Sequence, residues 1–298
     1  MANVQEQGVN FSSVPILDYS LINSPTTKPQ FILQLRHALI NVGFLYLANH
    51  SVDAHIIGSL KSYIPKLFAL PQDEKDKIGM ANSEHFLGYS RIGKELTKGK
   101  VDQREQFDFA TPHVCRWIEG ETPKELEYLR LWGACQVSFI SVTLPFLSFP
   151  NSCSVYKWPD ETLIPGFRQT LEEYFAQVQQ LSYDFSSLLA EAFGLPPDAL
   201  RKFYDTDANM QHRGKIVRYP VIGPGESEAQ GVGPHYDAGF LTFVSYTLPP
   251  FIRFMESDAT TKLLQASPHK GLQVQNLSGQ WIDAPPIDGT FVVNIGKG

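Results

Sequence analysis

The apolar positions of this chain fall into two periodicities, and the switch between them divides the sequence. Phe31, Leu35, Ala38, Leu39 and Val42 recur at helical steps until Gly43 supplies a stop. Ile57, Leu60, Ile64, Leu67 and Phe68 share one face of a second helix, which Pro71 closes. The longest helical pattern runs from about residue 164 to 193, through Phe167, Leu171, Tyr174, Val178, Leu181, Phe185, Leu188 and Ala192, and ends at Gly194 and Pro196. Short strand-like runs lie among these helices: VPILD (14–18), GFLYLAN (43–49) and QFDFA (106–110).

Beyond the long helix the pattern becomes a succession of short strands divided by turns. KIVRYP (215–220), GPHYDAGFLTF (233–243), KGLQVQN (270–276), QWIDA (280–284) and GTFVVNIG (289–296) alternate with glycine-, proline- and serine-rich connections. Strands at this spacing predict an α+β protein with a mostly β core of jelly-roll type, partly covered by a helical N-terminal region. Three regions follow from the pattern: a mixed helix and strand region at 1–125, a segment with the long support helix at 126–205, and a β core at 206–298.

Composition narrows the function classes. The chain has 298 residues, is 43% hydrophobic and carries a net charge of −6, so it can bury a core and has no basic stripe to neutralise phosphates. Nucleic acid is therefore not an expected partner. Its three cysteines, Cys115, Cys135 and Cys153, show neither paired nor metal-type spacing, which suits a reducing compartment. The opening residues lack a signal-peptide pattern, and no apolar run is long enough to cross a bilayer. These features predict a cytoplasmic protein with no membrane partner, expected to be a monomer.

The most informative short segment is GPHYDAGFLTF. His235 and Asp237 stand two positions apart, so on a strand both side chains would face the same way. An imidazole nitrogen and a carboxylate oxygen so placed can take adjacent positions on one metal ion, and mixed nitrogen and oxygen ligation suits iron(II). A His-x-Asp pair alone is a weak motif, equally at home in a surface turn.

The surrounding segments give it context. VPILDYS, GFLYLANHSV (43–52), FALPQDEK (68–75), GYS (88–90), DQREQFDF (102–109), WPDE (158–161), KIVRYP and GLQVQNLSGQWIDAPPIDGTFVVNIG follow one another as the corresponding segments do in one family. The chain resembles the non-haem iron(II), 2-oxoglutarate-dependent dioxygenases of the isopenicillin N synthase-like group. The resemblance implies a double-stranded β-helix, iron(II) as cofactor, 2-oxoglutarate as co-substrate, and dioxygen and a small organic molecule of secondary metabolism as partners. It assigns His235 and Asp237 to the metal. It also assigns Tyr219 to a hydrogen bond with a carboxylate of co-substrate or substrate, although a strand tyrosine packed in the core fits the same position. Position 217 is valine where many plant relatives have asparagine. Arg218 reads as a solvated edge residue, and His50 as structural.

The resemblance also places a second histidine ligand, and an arginine for the distal carboxylate of 2-oxoglutarate, after the strand ending in Asn294–Gly296. The sequence stops at Gly298, so the expectation is a jelly roll incomplete at its C-terminus and an impaired iron site. Two alternatives remain open: an oxidase of isopenicillin N synthase type that does not use 2-oxoglutarate, and a non-catalytic relative that binds small molecules.

Two segments of nineteen residues, 137–155 and 244–262, interrupt the family pattern, and both begin Val-Ser. GUAAGU, a common intron start, encodes Val-Ser. Without the second segment, Gly239–Phe243 would join Leu263 as one uninterrupted strand; with it, the extra residues must loop out or disturb the sheet. Phe146, Phe149, Phe251 and Phe254 would then add exposed apolar surface and a tendency to aggregate. The expectation is that both segments are introns read in frame, the rival being genuine loop insertions. Sequencing the spliced transcript checks this: both segments should be missing from it, and their retention would establish them as loops.

Overall fold

The structure is a computed structural model. It describes residues 10–83, 87–111, 120–121, 123–124, 158–204, 210, 212–220, 231–237, 240–246, 260–265 and 271–296. Segment 137–155, with Phe146 and Phe149, lies outside the described residues, as do Phe251 and Phe254.

In chain order the strands are β1 (Ile16–Asp18), β2 (Phe44–Ala48), β3 (Gly88–Ser90), β4 (Leu96–Thr97), β5 (Lys100–Val101), β6 (Glu105–Ala110), β7 (Arg213–Arg218), β8 (Leu241–Tyr246), β9 (Thr260–Gln265), β10 (Gln273–Gln275), β11 (Trp281–Asp283) and β12 (Phe291–Ile295). The helices are α1 (Lys28–Asn41), α2 (Ala54–Phe68), α3 (Gln72–Lys77) and α4 (Phe167–Ala192). Eight strands form one sheet in the order β1-β2-β12-β8-β9-β7-β6-β3, while β4–β5 and β10–β11 are separate hairpins. Strands from the two ends of the chain thus share one sheet and one core. Among the described residues, no helix is long and apolar enough to cross a membrane.

The helical spacing seen in the sequence is what buries each helix. Phe31, Leu35 and Ala38 of α1, the five apolar residues of α2, and Phe167, Leu171, Val178, Leu181 and Phe185 of α4 all lie in the core. Asp53 caps α2 by accepting a hydrogen bond from the His55 amide. Gly194, at φ +73°, ends α4. Its amide and that of Leu195 bond back to the Glu191 and Ala190 carbonyls, an arrangement that needs a left-handed residue at this point.

Helix α4 lies on one face of the sheet. Phe185 meets Phe243 of β8 at 5.7 Å, and Phe243 meets Phe291 of β12 at 5.9 Å. Gly214 of β7 sits directly under Phe175, where an added Cβ would lie 2.3 Å from the ring. His50 packs its ring 4.4 Å from Phe291, and burial pushes its pKa down to about 4, so it is a neutral structural residue, as the sequence suggested.

The structure corrects one expectation. Residues 233–237 are not strand: the ladder begins only at Leu241, after a loop containing Gly231, Gly233 and Pro234. The residues flanking segment 244–262 lie on two separate strands. Val244 and Ser245 stay in register with Val292 and Phe291 of β12, which fills the in-line position. Residues 260–265 therefore take the next place in the sheet as β9, parallel to both β8 and β7.

The Gly214–Phe175 contact is open to a direct check. Gly214→Ala should overpack the interface between α4 and the sheet and cost about 1–3 kcal/mol in chemical denaturation. An unchanged midpoint would mean that the ring yields freely.

Candidate metal centre

His235 and Asp237 come together although they lie on a loop rather than a strand. His235 Nε2 is 3.4 Å from Asp237 Oδ1, with the side chains 32% and 14% exposed, so the pair can be reached from solvent. The loop itself orients the imidazole. Nδ1 lies 2.8 Å from the Gly233 carbonyl oxygen, which can only accept, so Nδ1 carries the proton and donates. In the neutral ring this leaves Nε2 as the bare nitrogen, the form a metal binds.

The carboxylate is fixed from the sheet. Thr242 Oγ1 of β8 donates to Asp237 Oδ2 at 2.8 Å, and Asn294 Nδ2 of β12 donates to the same oxygen at 2.9 Å. Thr242 and Asn294 are direct partners in the β8–β12 register, which places both on one face of the sheet, and both are buried. One oxygen is thereby occupied, and the other faces His235. Burial pushes the Asp237 carboxyl upward, but the hydrogen bonds from His235, Asn294 and Thr242 outweigh it, and the pKa falls below the ordinary value. The same contact raises the pKa of His235, against the opposing effects of burial and of the nearby Arg104 guanidinium.

These features fit a divalent cation. A preset tautomer with a bare nitrogen, and a carboxylate with one oxygen tied back, are what supporting partners provide at histidine–carboxylate metal sites. Two donors sharing one ion at adjacent positions would stand about 3 Å apart, close to the separation seen. Among the described residues there is no group of three or more histidine, cysteine, aspartate or glutamate side chains that could hold a metal.

Tyr219, the third residue singled out, follows β7. Its ring lies against Gly231: a Cβ there would be 2.3 Å from Tyr219 Cδ1. The tyrosine is thus close in structure to the start of the metal loop. Val217 is fully buried. Arg218 corrects its sequence reading. Rather than a solvated edge residue, it is an ion-pair partner of buried Glu105 and lies over the Phe68 ring at 5.4 Å. Lys75 and Tyr89 also bind Glu105, on the side of the sheet away from Thr242 and Asn294. Sequence reasoning missed Thr242 and Asn294 as anchors; Asn294 is 57 positions from Asp237, and only the strand register brings them together.

Comparison with known proteins bears on the family of the chain. The family described as "non-haem dioxygenase in morphine synthesis N-terminal" matches residues 14–135. The 2-oxoglutarate-dependent dioxygenase frbJ of Dothideomycetidae sp. (strain 11243) is 42% identical over 292 residues, covering 97% of this chain and 66% of frbJ. A homoarginine-6-hydroxylase of Oryza sativa subsp. japonica, 2-ODD-233, is 28% identical over 301 residues, covering 97% of this chain and 76% of its own length. The fold is that of a full-length Neurospora crassa protein whose crystal structure was solved in complex with alpha-KG. The TM-score is 0.67 at 22% identity, over 99% of this chain and 75% of that one. The chain belongs to the iron(II)- and 2-oxoglutarate-dependent dioxygenase family. It spans slightly under two thirds of the length of frbJ.

The His235–Asp237 contact predicts a titration effect in the metal-free protein. Asp237→Asn should lower the midpoint at which the His235 ring protonates, as followed by NMR of the imidazole. A midpoint that stays in place would show that Asp237 does not face the ring.

Proposed function

We propose that this protein is an oxygenase of a small organic molecule, with iron(II) held by His235 and Asp237. The observation that carries the reading is the double restraint on this pair: Nδ1 bound to the Gly233 carbonyl, and Oδ2 bound by Thr242 and Asn294. It leaves one nitrogen and one oxygen directed at the same point. When bound, iron(II) with 2-oxoglutarate supplies the activation of dioxygen, with succinate and carbon dioxide as by-products.

The protein's own residues orient and enclose. Thr242 and Asn294 keep Asp237 ionised and stop it rotating. Gly233 holds the imidazole with Nε2 outward. Tyr219, at the base of the loop, donates from its phenol to a carboxylate of co-substrate or substrate, a task suited to a hydroxyl on an apolar ring. The resemblance expects a further histidine and an arginine beyond Asn294–Gly296. Where His235 and Asp237 are the only donors, metal is held weakly and turnover is low. Succinate formation discriminates this reading from an oxidase that does not use 2-oxoglutarate.

Manganese(II), followed by electron paramagnetic resonance, tests the site without turnover. The full chain should bind it, and His235→Ala or Asp237→Ala should abolish binding. Thr242→Val and Asn294→Ala should each weaken it about 10–100-fold through the loss of a supporting hydrogen bond. Equal affinity in all four variants would remove the site from this loop.

A further inference from the structure

The sheet face that anchors the metal loop continues into a ribbon of polar residues that the metal centre does not use. The register follows it from strand to strand. Asn294 pairs with Thr242, Thr242 with Thr261, and Thr261 with Arg213. On β7, Lys215 shares the face of Arg213 and pairs with Asp108 of β6, while Val217 pairs with Gln106. Asp108 and Gln106 therefore belong to the same face as the anchors of Asp237, opposite the face that packs on α4.

Side-chain contacts join the ribbon into one network. Lys215 Nζ lies 3.3 Å from Asp108 Oδ1, and Gln106 Nε2 donates to Asp108 Oδ2 at 2.8 Å. The same Gln106 nitrogen donates to Glu95 Oε1. Glu95 accepts from Arg104 at 2.7 Å, Arg104 also lies 3.0 Å from Asp102, and Arg104 is near enough to His235 to oppose its protonation. A chain of polar contacts thus leads from Arg104 to Lys215.

Two features of this network call for a ligand. Because the Gln106 nitrogen faces two carboxylates, the amide cannot be turned round, so Oε1 is fixed on its other side. That oxygen is buried with no hydrogen-bond partner, on a residue only 1% exposed, and its cross-strand neighbour Val217 offers no donor. An acceptor left so costs about 1–3 kcal/mol, which a donor from a ligand would recover. The second feature is the ion pair. Lys215 and Asp108 keep side-chain exposures of 20% and 12%, so the pair is not wholly sealed from the surface. Burial, with Glu95 nearby, raises the Asp108 carboxyl to about 6 against the opposing pull of Lys215 and Arg213.

We infer that Asp108, Gln106 and Lys215 form the substrate-recognition site and receive the ammonium and carboxylate of an α-amino acid. The ammonium donates to Asp108 and to Gln106 Oε1, and the carboxylate accepts from Lys215. A zwitterion suits the ribbon better than a simple cation or anion, because the acids Glu95, Asp102 and Asp108 are balanced by Arg104, Arg213 and Lys215. This inference rests on the oxygenase reading for its purpose, since it supplies the molecule to be oxidised.

The test is calorimetric titration of the full chain with each common L-α-amino acid and with L-homoarginine. The tightest binder is then compared with its decarboxylated and its deaminated analogues. At least one amino acid should bind, and each analogue should bind at least tenfold more weakly. Asp108→Asn and Lys215→Met should each lose at least tenfold. The double variant Asp108→Asn/Lys215→Met, which strands neither charge, should unfold cooperatively near the wild-type midpoint and still lose binding. Binding that survives in the double variant, or no binding by any amino acid, overturns the proposal. Manganese(II) binding, measured alongside, separates the two readings. Metal without amino acid leaves the metal centre standing and removes the substrate site, whereas amino acid without metal does the reverse.

Discussion

The arrangement depends on one carboxylate oxygen. Asp237 Oδ2 is held by Thr242 and Asn294, residues that face each other across the β8–β12 pairing, so a loop side chain takes its position from a buried part of the sheet. Both donors are themselves fixed by the backbone ladder and by burial, and neither has solvent to turn toward. What the ladder does for Asp237, the Gly233 carbonyl does for His235. Removing either restraint would leave the two ligand atoms free to point apart, and a metal would have to order them at the expense of its own affinity.

The two faces of the sheet divide the work. On one, Phe243, Phe291, Phe107 and Phe109 form an aromatic layer beneath the helices, and Gly214 is kept small so that Phe175 can close on β7. Glu105 is the exception there, and three partners offset the cost of burying it: Lys75, Arg218 and Tyr89. The other face carries Thr242, Asn294, Lys215, Asp108 and Gln106. Rigidity on the first face lets the second hold polar groups at fixed separations, including some that are not yet fully satisfied.

Much of this was legible in the sequence, and the limits have physical causes. Helices α1, α2 and α4 followed from their apolar spacing, because the same residues that set the period are the ones buried. Strands β6 and β7 could be seen as runs, but their register could not, and the Asp108–Lys215 contact exists only through it. The alternate polar residues of QFDFA would ordinarily face water; here Gln106 and Asp108 are buried because a second polar strand lies beside them. The pairing of His235 with Asp237 was anticipated on a strand, whereas a loop produces it through the imidazole's bond to its own backbone. The split of residues 240–265 into β8 and β9 was not visible either, since a strand running on to Tyr246 and one stopping at Phe243 have the same pattern of alternation. Family resemblance pointed to the ligand atoms but not to the groups that aim them.

The central claim is that His235 offers Nε2, and Asp237 Oδ1, to a single metal ion. Pulsed electron paramagnetic resonance of the manganese-loaded protein, with its histidines labelled with nitrogen-15, addresses it directly. The account predicts hyperfine coupling to an imidazole nitrogen that disappears in His235→Ala. A coupling that persists in that variant, or manganese bound with no nitrogen coupling in the wild type, would contradict it.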